Sequence, residues 1–79
     1  VAKFKFELTA GILLRSDVRN QLNRSKEKLE YRFGGRVSIR EEKSMLDSIF
    51  YVIGYDFPDT SEFILVIKEW ELKIKSFCD

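Results

Sequence analysis

Ala2, Phe4, Phe6 and Leu8 alternate with Lys3, Lys5 and Glu7. A period of two puts the apolar set on one side of a strand and leaves the other side wet. The pattern changes after the apolar stretch 9–14, whose residues are expected to tuck under the core. Val18, Leu22, Leu29 and Phe33 then fall on one narrow stripe at helical spacing, with Ser25 in the gap. Ser16 or Asp17 is placed to cap this helix, and Gly34-Gly35 to close it. Alternation returns in 36–42, where Val37 and Ile39 have polar neighbours, and gives a second strand. Residues 47–55 are apolar on both faces and rich in β-branched and aromatic side chains, as expected of a central strand covered on both sides. Gly54 within it marks a bulge or a close backbone approach. Pro58 and Asp59 make 56–62 a turn.

The last segment carries two periods at once. As a strand, 62–77 puts Ile64, Val66, Trp70, Leu72 and Ile74 on one face, interrupted by Lys68. As a helix it aligns Phe63, Ile67, Trp70, Ile74 and Phe77, and it gains the pairs Glu69–Lys73 and Glu71–Lys75. The helix, however, points Leu65 and Leu72 into water. Leaving two leucines exposed forfeits roughly 1.5–3 kcal/mol each, whereas two exposed ion pairs return about 0.2–0.5 kcal/mol each. The strand is preferred on that comparison. The expected fold is therefore α+β, one helix packed on an antiparallel sheet in the order β-α-β-β-β. The alternative is β-α-β-β-α, with residues 60–77 helical.

Composition bounds this picture. Seventy-nine residues make one small domain. Small domains bury a low fraction of their surface, and seven Phe, three Tyr and one Trp compensate with large rings. No stretch approaches the roughly 18 apolar residues that span a bilayer; the longest apolar runs are 49–53 and 63–67. The charged start lacks the apolar region of a signal peptide. A single cysteine, Cys78, forms no disulfide within the chain and agrees with a reducing compartment, so a cytoplasmic location is expected.

Charge sharpens the search for chemistry. The net charge is +1, but residues 15–43 hold nine Lys or Arg against five Asp or Glu, and residues 44–79 hold three against seven. There is no histidine. That removes the commonest general base and metal ligand, and with one cysteine it leaves no usual zinc set. No carboxylate pair stands out for acid–base work. Asp56, Asp59 and Glu62 lack the alternation and central glycine of a calcium loop. Gly34-Gly35 runs from a helix into a strand, the reverse of a phosphate cradle. No metal, no cofactor and no enzymatic activity are expected.

Two binding readings remain. The alternative is a nucleic-acid-binding module using the basic segment 15–40, in which Arg15, Arg19 and Lys26 flank one side of the helical stripe and are the candidate contacts. Cations beside a core stripe ordinarily cover its edge with their stems, which weakens that reading. The aromatic side chains suggest a base-stacking sheet, but their alternation with lysines is that of a buried face. The preferred expectation is a non-catalytic protein-interaction or self-assembly module. Its candidate interface is Phe50, Val52, Phe63, Leu65 and Ile67, surplus apolar surface for a homodimer or another protein partner to cover.

Overall fold

The computed structural model describes residues 2–78. Along the chain come β1 (Ala2–Gly11), a 3-10 turn (Ile12–Leu14), α1 (Arg15–Phe33), β2 (Arg36–Lys43), β3 (Ser48–Phe57) and α2 (Ser61–Cys78). The class is α+β, with an antiparallel sheet in the order β1-β3-β2. Both helices lie on one face of the sheet. That face carries the buried Leu8 and Ala10 of β1, Val37 of β2, and Ile49, Tyr51, Ile53, Tyr55 and Phe57 of β3.

Residues 62–77 do not form the preferred fourth strand; they belong to α2, and the order is β-α-β-β-α. The reason lies in the sheet. A single helix, about 10 Å across, cannot cover a three-stranded face about 14 Å wide. As a helix, the segment buries Phe63, Ile67, Trp70 and Ile74 against that face, a return of roughly 1.5–3 kcal/mol each. Leu65 and Leu72 do point into water, at 65% and 70% exposure. Four large buried side chains outweigh two exposed leucines. The rings interlock as they pack: Phe63 lies 4.8 Å from Phe57 and 5.3 Å from Phe33, and Trp70 meets Phe6 edge-on at 5.5 Å. Thr60 starts α2, its hydroxyl accepting the Phe63 N–H at 3.1 Å, as an N-cap side chain does.

Other local details also differ from expectation. α1 has no side-chain cap at Ser16 or Asp17; it continues from the 3-10 turn, and Asp17 sits in its first turn, where a negative charge favours the helix dipole. Its end is as expected. Gly34 adopts φ 68° and returns its N–H to Glu30 O at 2.9 Å. A side chain on Gly35 would strike the Phe57 ring and Asp56 O, at 2.2 and 2.3 Å, so glycine there lets α1 turn tightly into β2. β3 is covered on one face only: Phe50 and Val52 are half-buried on the face opposite the helices.

Candidate functional site

The helix-free sheet face follows from the register. Lys3, Asp56 and Arg36 form one cross-strand row, then Lys5, Gly54 and Ser38, then Glu7, Val52 and Arg40, then Thr9, Phe50 and Glu42. Its charges are mixed, and neighbours on one strand pair up, with Arg40 Nε 3.0 Å from Glu42 and Lys5 Nζ 3.9 Å from Glu7. Phe50 is its one aromatic ring. Phe4, Phe6, Tyr51 and Tyr55 lie on the helix side, where Phe63 and Trp70 pack against rings of the sheet. A base-stacking platform needs several rings on the open side, and this face lacks them.

Beyond Phe50 the sheet runs into an apolar tip. The last β1–β3 pair is Gly11 with Ser48, and the Ile12 N–H continues the ladder to Asp47 O at 3.4 Å. This holds the 3-10 turn beside the β2–β3 turn. The second turn is closed by the Ser44 N–H to Ser48 O at 2.9 Å, the Ser44 and Ser48 hydroxyls at 2.8 Å, and the Leu46 N–H on Ser44 Oγ at 3.0 Å. Asp47 takes φ 52°, the left-handed position a three-residue hairpin loop requires and Asp tolerates. The turns present Leu13 at 97%, Met45 at 100% and Leu46 at 87% exposure, with Ile12 and Leu14 partly exposed beside them. The stretch 9–14 thus does not tuck under the core throughout, as expected from sequence; only Ala10 does so fully.

The candidate interface of the sequence splits up. Phe63 and Ile67 are in the core, Phe50 and Val52 lie on the open sheet face, and Leu65 lies on the outer side of α2. The candidate nucleic-acid contacts split too. Arg15 and Arg19 both reach Glu41 of β2 as ion pairs, while Lys26 lies two turns further along α1 and is half-buried. Burial opposes the charge on Glu41, but the hydrogen bond from Arg19 and the two guanidinium charges outweigh it and hold its carboxyl below its ordinary value. Arg19 is raised in turn by the hydrogen bond to Glu41. Sequence reasoning missed this clamp, because Glu41 is far from both arginines along the chain.

Few groups have the setting of a reactive centre. Burial raises the phenols of Tyr51 and Tyr55, and Tyr55 also donates to the Glu71 carboxylate, which raises it further. Raised phenols stay neutral and serve as donors; Tyr51 donates to Arg15 O at 3.2 Å. Among the described residues no three His, Cys, Asp or Glu side chains are grouped to hold a metal ion. No helix among them is long and apolar enough to cross a membrane. Neither a protein-family model, nor a curated protein sequence, nor a solved structure matches the chain.

Proposed function

We propose that this protein is a non-catalytic protein-interaction module of the cytoplasm that associates with a second copy of itself through the apolar tip. The carrying observation is that Leu13, Met45 and Leu46 stand in water on hydrogen-bonded turns. Monomers seldom expose contiguous apolar patches without a use for them. The charges around the tip favour a like partner. Arg15, Arg19 and Lys43 are matched by Asp17, Glu41 and Asp47, so two copies meeting there do not repel, and a two-fold contact is self-complementary. A contact made by these few side chains falls in the weak, transient class.

The test is light scattering across protein concentrations from about 1 to 100 μM, the range where small interfaces associate. The wild type is expected to rise from the 9.4 kDa monomer toward a dimer. The Leu13→Ser/Met45→Ser/Leu46→Ser variant should stay monomeric with unchanged circular dichroism. A variant that associates like the wild type would refute the tip as the interface. Nucleic-acid binding through Arg15 and Arg19 is the weaker reading, because Glu41 already holds both guanidinium groups.

A further inference from the structure

We infer that the outer edge of β1 binds an extended peptide segment of a partner protein as a fourth strand, seating an apolar side chain in the cavity between β1 and α2. The inference rests on the reading of this protein as an interaction module and adds a surface distinct from the tip. It begins with the backbone. The Ile12 N–H bonds to Asp47 O, one step beyond the last paired residues of an unbroken register. Bonded pairs alternate in an antiparallel ladder, so the even-numbered residues of β1 face β3. Lys3, Lys5, Glu7 and Thr9 therefore turn their N–H and C=O groups outward. Among the described residues no backbone or side-chain group takes them up.

The two sheet edges are treated differently. On β2 the Val37 N–H is taken by Glu30 Oε2 at 3.1 Å, and Glu41 points toward the helix side under Arg15 and Arg19. An inward charge on an edge strand blocks pairing. β1 has ten residues, no proline and no inward charge. α2 packs over it. Three strands make a layer roughly 14 Å wide, while two packed helices make one of roughly 18–20 Å. With α1 packed on β2 and α2 packed on β1, a helix layer wider than the sheet by about one strand leaves room for a strand beside β1. Phe4 marks it: although on the helix side, it is 40% exposed. Beside it lies a cavity of about 170 Å³ lined by Phe4, Phe63, Ile64 and Ile67 together with Tyr55, Lys68 and Glu71. A cavity of about 150 Å³ holds a benzene ring, so this one takes a single large apolar side chain.

The same register sets the chemistry of the occupant. A residue opposite Phe4 faces the cavity, and its two neighbours fall on the open face opposite Lys3 and Lys5. The preferred core is acidic–aromatic–acidic in either strand direction. A second copy is disfavoured here, because its β1 would bring a helix layer into a space one strand wide and set lysines near lysines.

The test uses fluorescein-labelled nine-residue peptides with Asp-Phe-Asp, Lys-Phe-Lys or Asp-Ala-Asp cores, followed by anisotropy and by hydrogen exchange of the β1 amides. The Asp-Phe-Asp peptide is expected to bind at least about tenfold tighter than either control, as two favourable cross-strand charge pairs and one buried ring allow. It should protect the Lys3, Lys5 and Glu7 amides. The Lys3→Glu/Lys5→Glu variant, altered only at exposed positions, should prefer the Lys-Phe-Lys peptide instead. Equal binding of all three peptides, or binding without protection of those amides, would overturn the inference. Concentration-dependent protection of β1 without peptide would overturn it in favour of a second copy. Light scattering on the same samples separates the two levels: no peptide binding by a protein that still dimerises refutes this inference alone, whereas a monomer that binds nothing refutes the interaction reading as well.

Discussion

Glu41 shows how one side chain can define an edge. It sits on an edge strand, faces the helix layer, and is reached by two arginines of α1. Its carboxyl is held below its ordinary value of 4.5. A group whose folded pKa is depressed contributes stability that is fully present above its unfolded value and is lost as pH falls through its folded value. Urea unfolding of the wild type and of Glu41→Gln should therefore differ at pH 7, with the difference shrinking as pH falls below the ordinary value of 4.5 and vanishing below the lowered folded value. A difference that persists undiminished to pH 2 would show that the carboxylate charge is not what holds α1 to β2. None of this was legible in the sequence. Arg15, Arg19 and Glu41 are separated by a helix and a turn, and only the folded packing of α1 on β2 brings them together.

At the scale of elements, most of the fold was legible because period and burial agreed. Val18, Leu22 and Leu29 are buried on α1 as their spacing implied, and β1 and β2 alternate as read. α2 was not legible for a definite reason. Its own residues support both periods, and what decides between them is the sheet face that α1 leaves uncovered. Leu65 and Leu72 weighed against a helix in the sequence, and they are exposed in the fold all the same. The assignment is checked by four variants. Phe63→Ala and Ile74→Ala should each lower stability by about 2–5 kcal/mol, as buried truncations do. Leu65→Gln and Leu72→Gln should change it by no more than about 0.5 kcal/mol, as exposed substitutions do. A large loss at Leu72 would be the signature of a strand.

At the scale of the molecule, the layout is a long two-layer block, 37 Å by 17 Å by 17 Å. One end carries the apolar tip and one long edge carries the outer side of β1, whose inner side pairs with β3. The tip was only half legible. Its residues are plainly apolar in the sequence, but apolar residues in a connection read equally well as core. The signal that distinguishes them is that Leu13 and the Met45-Leu46 pair follow neither strand nor helix period and lie beside turn chemistry at Gly11, Ser44 and Asp47. The β1 edge was not legible at all, since strand order is a property of the sheet and not of any one strand.

The central claim is association through the tip, and an amide NMR dilution series tests it most directly because it reports both that copies meet and where. Between about 500 and 20 μM, a span suited to weak contacts, the account predicts concentration-dependent shifts confined to residues 11–14 and 44–50. Spectra that superimpose at all concentrations, or shifts centred on the Leu65 and Leu72 face of α2, would contradict it.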